Sequence, residues 1–547
     1  MEIKSLHLFI YGDKILVMKK LSKIGIILSF ILTICFLFGY SIKKFHIIDH
    51  LFYKRNIIKS IFAFIIIFIL LYLLIVGIYK LFDKLKTSKK GNKLYNFIFE
   101  KNPLLITFII FFAFSIPIII FFYPGPVHWD GLQELNYFYG IDKFSNHHPV
   151  VPTLLMGLAM KLGRLIYNDN LGIFLYTFPQ MLFSSFTFAY IFKFMKDIDT
   201  PKIIRIITFI FFLFNPVWYI NGYTIVKDTY YYLFFIWFLI YYYKFYMENT
   251  RKNGVMLFLA SLMVILFRNN GIYIVIASFI PFVFRKDIRK VILSFIATFL
   301  VFQFGYNKAL DYFKVEPSNI RETLSVPIQQ TARYIKYYDN ELTDKEREYV
   351  ENLYRMSIKE IKKKYQPELS DPVKFPWKVN DKKELLEYFK FWFKCLKKHP
   401  KVYVDSFLEN YYGYFYPLKK DYKDGVAWFI VVYNKRVNTG YFNLHYLKAF
   451  KAERNFITNF TNKLKVTKGV GLTYNTGVYT WLLLILMGYA IYKKRYTNLL
   501  FSIPIVLTLA FCFLSPVNAY LRYMNPIIVV IPIYLAIVLK TNKINIK

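Results

Sequence analysis

Asp130 and Glu134 stand four residues apart, directly after a Pro124-Gly125-Pro126 break that ends an apolar run. A helix starting near Asp130 would place both carboxylates on one face. His147 and His148 follow before the next run, and Lys227-Asp228 opens a later one. Arg268-Asn269 lies in a short turn between two runs, and Arg522-Tyr523 carries the only charge between two more. Carboxylates are costly near a membrane interior, so those retained there are candidates for proton transfer. Cations and amides beside them are the groups that grip a phosphate or stabilise a departing anion. Histidine can donate to phosphate or ligate a metal, although one adjacent pair signals a metal weakly.

Each piece has a plainer reading. Taken alone, Asp130 reads more readily as a helix N-cap and Trp129 as an interfacial belt residue. Lys227-Asp228 fits a local ion pair, Arg268 a snorkelling cation, and Gly271 a left-handed turn. Only one of the two adjacent histidines would face a site if they lay on a helix. What raises the chemical reading is that all these residues fall on one side of the membrane in the topology below.

The elements that must position them are apolar helices. The chain has 547 residues, is 56% hydrophobic and 21% aromatic, and carries a formal net charge of +38. Such a composition excludes a disordered chain. The basic residues come in short clusters between long apolar runs, which is the pattern of a polytopic membrane protein and not of a nucleic-acid binder. About twelve spans are expected, near 24–40, 58–81, 104–122, 172–192, 203–221, 229–247, 255–267, 271–284, 290–306, 476–492, 497–515 and 524–540. Runs 255–267 and 271–284 are short for crossings; treating them as one broken span would put Arg285–Lys290 on the outer side. As a hairpin, every inner loop is basic, including those with Lys86, Lys89, Lys90, Lys543 and Lys547. Both termini are then inside. Lys43, Lys44, Lys54, Arg55 and Lys59 are the exception, on the outer side.

Four parts are expected: an inner N-terminus 1–23, a transmembrane module 24–306 with an outer loop 123–171, a mainly helical extracytoplasmic domain 307–474, and a three-helix module 475–547. The polar domain holds 32 Lys+Arg and 20 Asp+Glu, leaving only 14 acids for the rest of the chain. Thr343-Asp344-Lys345-Glu346 is a capping box for a helix to about Lys364; Asp381 opens a second helix that stops before Pro400. Residues 402–415 repeat apolar side chains at helical spacing and are expected on the membrane surface, as is 150–166. Cys35, Cys395 and Cys512 have no paired spacing, so neither a disulfide framework nor a zinc site is indicated. The N-terminus lacks a cleavable signal pattern, and Met18 is an alternative start.

The outer-side pieces are Tyr123-Pro124-Gly125-Pro126-Val127-His128-Trp129-Asp130, Asn146-His147-His148-Pro149, Lys227-Asp228 and Arg268-Asn269-Asn270-Gly271. Val326-Pro327-Ile328-Gln329-Gln330-Thr331-Ala332-Arg333 and Asn518-Ala519-Tyr520-Leu521-Arg522-Tyr523 complete them. In this order the chain resembles the GT-C superfamily of integral-membrane glycosyltransferases, and most nearly a bacterial membrane family of the DUF6020 type. The resemblance spans roughly 120–526. It implies an all-α membrane fold in the bacterial cytoplasmic membrane, with an extracytoplasmic site and a sugar donor carried on polyprenyl phosphate. The implied acceptor is a cell-envelope polysaccharide, lipid or protein, with inversion at the anomeric carbon and no nucleic-acid partner. Asp130 matches the catalytic acid of the first large outer loop. Two spans precede that loop here, where many members have one.

The expected roles follow. Asp130 is the base, helped by a raised pKa; Glu134 or Asp228 orients the acceptor or holds a divalent cation, Mg or Mn, which some members need. His147, His148, Lys227, Arg268, Asn269, Gln329, Gln330, Arg333, Arg522 and Tyr523 surround the substrate and its phosphate. A flippase of lipid-linked saccharides and a non-catalytic envelope assembly protein are the competing readings. A flippase would carry charge within its spans and show inverted repeats, neither of which is evident.

Overall fold

The computed structural model describes residues 2–85, 91–418 and 441–540, with side chains described from Lys23 onward. Lys86, Lys89, Lys90, Lys543 and Lys547 of the expected basic loops lie outside the described residues. The described chain is helical, apart from isolated bridges such as Val127 with Ile225, Ser145 with Glu316 and Leu369 with Val517.

The helices before the polar domain are α1 (Glu2–Phe45), α2 (Lys54–Lys84), α3 (Lys93–Asn96), α4 (Pro103–Phe121), α5 (Trp129–Phe138), α6 (Val150–Ile166) and α7 (Asp169–Asp197). They continue as α8 (Lys202–Leu213), α9 (Pro216–Gly222), α10 (Lys227–Met247), α11 (Arg251–Phe267), α12 (Gly271–Val283) and α13 (Arg289–Tyr312). Next come α14 (Ser325–Tyr338), α15 (Asp344–Tyr354), α16 (Ile358–Lys364), α17 (Asp371–Lys374), α18 (Lys382–Lys398), α19 (Pro400–Tyr411) and α20 (Lys451–Val466). The last four are α21 (Thr476–Tyr492), α22 (Thr497–Leu500), α23 (Ile503–Cys512) and α24 (Leu521–Leu539).

Helices occupy all twelve expected runs, with 203–221 and 497–515 each broken into two, but not all are long and apolar enough to cross a bilayer alone. Six qualify by length and composition: Lys23–Phe45 of α1, then α2, α4, α7, α13 and α24. A seventh arises if α8 and α9, bent by 58°, count as one span. Asn215 and Pro216 make that bend, because proline lacks the N–H that would continue α8. Gly271–Phe284, Thr476–Tyr492 and Thr497–Cys512 are shorter apolar helices; of these, only the first matches a run expected to be short. Burial separates two roles. α2 is almost wholly exposed, with Ile58, Phe62, Ile66, Leu70 and Leu73 on its surface, as expected of a lipid-facing helix. α24 is 83% buried within its apolar window and forms the centre of the bundle with α10.

At one end of the bundle, acids pair with Lys or Arg. Asp83 pairs with Lys493 at 2.8 Å, Glu100 with Arg205 at 2.8 Å, Asp197 with Lys244 at 3.3 Å and Asp287 with Arg285 at 2.8 Å. The candidate functional residues collect at the opposite end.

Residues 324–403 have their own core, built on Ile328, Ile335, Tyr354, Trp377, Tyr388 and Tyr403. The Thr343 capping box forms, but the helix it opens stops at Tyr354, where Arg355 turns left-handed; Ser357 caps a second helix to Lys364. Asp381 caps α18 through the Glu384 amide, and α18 ends at Lys398, before Pro400, as expected; Pro400 then begins α19. Instead of ending on a surface, α19 leads Tyr411 and Tyr414 into the membrane body, where Tyr411 donates to the Ser515 carbonyl at 2.8 Å. Buried Asn518 accepts from the Gly413 amide at 3.0 Å and donates to the Glu409 carbonyl at 3.2 Å. The polar segment is thereby threaded into the loop before α24.

Candidate functional site

Four helices, α5, α10, α12 and α24, start at the same end of the bundle. Their N-termini supply unpaired amides and positive partial charge. α5 starts where the Pro124-Gly125-Pro126 break ends the apolar run. His128, not Asp130, caps it: the His128 Nδ1 accepts from the Asp130 amide at 3.1 Å. Asp130 is therefore free to use its carboxylate elsewhere.

Lys227, at the first turn of α10, is the hub. Its Nζ lies 3.1 Å from Asp130 Oδ2, 3.5 Å from Glu134 Oε1 and 2.7 Å from His148 Nδ1. The helical i, i+4 placement does bring both carboxylates of α5 to one cation. Arg522, at the start of α24, reaches Asp130 Oδ2 at 2.9 Å and Asp228 Oδ2 at 3.6 Å. Arg268 closes the chain on Asp228 Oδ1 at 3.3 Å. Arg268 and Arg522 both lie over the Tyr523 ring, at 5.5 and 5.4 Å from its centre. Three carboxylates and three cations thus alternate in one network. Its members are nearly buried: the side chain of Glu134 is 0% exposed, that of Lys227 12% and that of Asp130 18%. Asp130 has the most exposed of the three carboxylates.

Electrostatics divides the acids differently from the expectation of a raised Asp130. Burial alone would raise the Asp130 carboxyl, but Arg522 and Lys227 outweigh it and hold Asp130 well below the usual carboxylate range. Glu134 is the raised group: burial pushes it up to about 7 against the pull of Lys227. Burial, then the neighbouring cations, also lower the imidazoles: His128 to about 4 by burial and Arg522, and His148 well below its usual value by burial and Lys227. Burial lowers His147 as well. Because lysine only donates, His148 Nδ1 is an acceptor, so its Nε2–H donates to Gln133 Oε1 at 3.2 Å.

His147 and His148 are on a loop, not a helix, with ring centres 4.5 Å apart. Asn269 does not join the charge network; its amide donates to the Asn146 carbonyl at 2.8 Å and ties the histidine loop to the α11–α12 turn. Gly271 is not left-handed as expected. It starts α12 where a Cβ would lie 2.3 Å from the Val264 carbonyl oxygen, so glycine is needed for a close approach. Gln329, Gln330 and Arg333 are not part of the network either. Gln329 donates to the Gln366 carbonyl, Gln330 to the Tyr403 carbonyl at 3.1 Å, and Arg333 pairs with buried Glu409. They hold the polar segment together because α14 packs on α16, α17 and α19.

Sequence reasoning left out His128, Gln133 and Thr153, which donates to Glu134 at 3.3 Å. His128 adjoins Trp129-Asp130 and was legible as a neighbour; Thr153 enters only through the packing of α6 on α5. Glu322 and Lys374, paired at 2.7 Å, also lie within electrostatic reach of His147. They arrive by two seams. Asn146 donates to the Glu316 carbonyl at 2.8 Å, and Ser370 to the Pro516 carbonyl at 2.9 Å.

Among the described residues, no group of three or more His, Cys, Asp or Glu side chains is placed to hold a metal ion. The three carboxylates already face Lys227, Arg268 and Arg522, so these residues do not fit the divalent cation that the resemblance allowed.

A family model described as a family of unknown function (DUF6020) matches residues 141–546. The match takes in His147, His148, Lys227, Asp228, Arg268 and Arg522 and begins after Asp130 and Glu134. No curated protein and no solved structure matches the chain. With most of its length covered, the chain belongs to the DUF6020 family.

Proposed function

We propose that this protein is a multi-pass membrane glycosyltransferase of the GT-C type. It moves a sugar from a polyprenyl-phosphate donor to a hydroxyl of a cell-envelope acceptor, with inversion, on the extracytoplasmic face of a bacterial membrane. The observation that carries the reading is the pairing of part-exposed Asp130 with both Lys227, at 3.1 Å, and Arg522, at 2.9 Å.

That pairing suits a site that exchanges one anion for another. A donor phosphate entering the network competes with Asp130 for the same cations. As Lys227 and Arg522 turn to the phosphate, the influence that depresses the Asp130 pKa weakens, and the carboxylate becomes a better base when the donor is bound. The acceptor oxygen then bonds to the anomeric carbon as the carbon–oxygen bond to phosphate breaks. The hydroxyl proton passes to Asp130, and polyprenyl phosphate leaves as an anion stabilised by Lys227, Arg522 and Arg268. Asp228 holds the two arginines in place. The cluster sits at an end of the bundle, where a lipid-linked phosphate and a water-borne acceptor can meet; a flippase would favour charge at mid-depth.

The test is Asp130→Asn in the full-length protein, reconstituted with synthetic polyprenyl-phosphate sugars and envelope acceptor extract. Asparagine keeps the shape and removes the base. Turnover is expected to fall by about 100-fold or more, with Tm changed little because Arg522 keeps Asp228 and Lys227 keeps Glu134. Near-normal turnover would exclude Asp130 as the base. A wild-type protein that consumes none of these donors would overturn the reading as a whole.

A further inference from the structure

α20 (Lys451–Val466) has more apolar surface than the bundle covers. Ile457 packs on the bundle core and Thr461 is fully buried, so this side of the helix faces the protein. At 100° per residue, Phe456 and Phe460 fall on the adjoining flank, on the same arc as Ile457 and Leu464. Their rings stack on each other with centres 6.2 Å apart, yet Phe456 is 69% and Phe460 45% exposed. The remaining surface bears Asn455, Asn459, Asn462 and the exposed lysines Lys451 and Lys463, with Glu453 the one acid of the helix.

The position of α20 identifies what meets that flank. Arg454 donates to the carbonyl of Phe121, the last residue of α4, at 2.9 Å. Phe450, just before α20, packs on Phe121 at 5.4 Å. α4 is one of the helices able to cross a bilayer, and Ile109, Ile116 and Ile120 are exposed along it. α20 is therefore held at the level where an apolar, lipid-facing surface ends.

We propose that α20 is an interfacial helix that inserts Phe456 and Phe460 into the acyl region of one leaflet, while Lys451, Lys463 and Lys468 engage anionic lipid headgroups. An exposed aromatic flank continuous with a spanning helix, bordered by lysines, matches a negatively charged leaflet in both hydrophobicity and charge. The inference rests on none of the sugar-transfer chemistry. It stands or falls separately from it.

Single cysteines test it in the full-length chain after Cys35, Cys395 and Cys512 are changed to Ala. Phe456→Cys, Phe460→Cys, Asn455→Cys and Asn459→Cys are labelled with an environment-sensitive fluorophore. The protein is placed in vesicles of phosphatidylglycerol and phosphatidylcholine with brominated acyl chains. Ile116→Cys on α4 serves as the lipid-exposed standard. Quenching at 456 and 460 should approach that standard and exceed that at 455 and 459 by about threefold or more. It should fall by about half when phosphatidylglycerol is omitted. Equal quenching on both faces overturns the insertion. Protection of 456 and 460 from both lipid and aqueous quenchers means that protein covers them, either this chain or a second copy, and overturns it too. Strong quenching that ignores lipid charge overturns the headgroup contacts.

Discussion

Glu134 and Asp130 are four residues apart on one helix, yet their environments push them in opposite directions. Asp130 has two cations and some exposure; Glu134 shares one cation and is fully buried. The consequence for Glu134 is a pH-dependent stability. A carboxyl raised to about 7 keeps, in the folded chain, a proton that the unfolded chain has released. Its contribution is therefore present at low pH and lost as pH rises through about 7. The lowered histidines His128, His147 and His148 slope the other way, losing stability as pH falls below the ordinary histidine value. Comparing wild type with Glu134→Gln isolates the carboxyl. The stability of wild type relative to the variant should fall by about 2–3 kcal/mol between pH 5 and pH 8, read as the difference in Tm in detergent. A constant difference across that range would show that Glu134 titrates normally. Most of these residues were legible as candidates because a charge is rare in an apolar chain. Their pairings and pKa order were not, since Lys227 and Arg522 reach Asp130 from helices about 100 and 400 residues away.

At the scale of elements, short backbone seams place the site. Ile225 donates to the Pro126 carbonyl at 2.9 Å, which lays the start of α5 against the residues that lead into α10. Gly131 permits that approach. A Cβ there would lie 2.3 Å from the Ile225 carbonyl oxygen, and backbone cannot give way as a side-chain tip can. Gly131→Ala should push α5 off this seam, lengthen the Asp130–Lys227 pair and destabilise the protein by about 1–3 kcal/mol. A Tm scan and a donor-turnover assay check it; wild-type values in both would show that α5 has room to shift. Helix limits set by proline, glycine or a capping residue were legible at Pro124–Pro126, Thr343, Asp381 and Pro400. The break at Arg355 and the entry of Tyr411 and Tyr414 into the bundle were not. Both depend on what the helix packs against, which local propensity does not encode.

For the whole molecule, Arg205, Lys244, Arg285 and Lys493 lie at the end opposite the charge network, in or beside short loops between apolar helices, consistent with the positive-inside reading. If that end is cytoplasmic, Leu386→Cys on exposed α18 should react with a membrane-impermeant maleimide in intact cells. Lys494→Cys, exposed in the turn after α21, should react only after the membrane is opened. The experiment requires a background without Cys35, Cys395 and Cys512. The reverse pattern would place the network in the cytoplasm and remove the proposed envelope acceptor. The sequence by itself determined that this is a helical membrane chain with a polar insertion, because the free energy of hiding apolar runs from water is local and additive along the chain. It also determined which few charged residues warranted attention. Only the tertiary structure decided that Gln329, Gln330 and Arg333 brace the polar segment, while Asp130, Glu134, Asp228, Lys227, Arg268 and Arg522 form one network. Ion pairing depends on distances between residues far apart in the chain, and only the packing of α5, α10, α11 and α24 sets those distances.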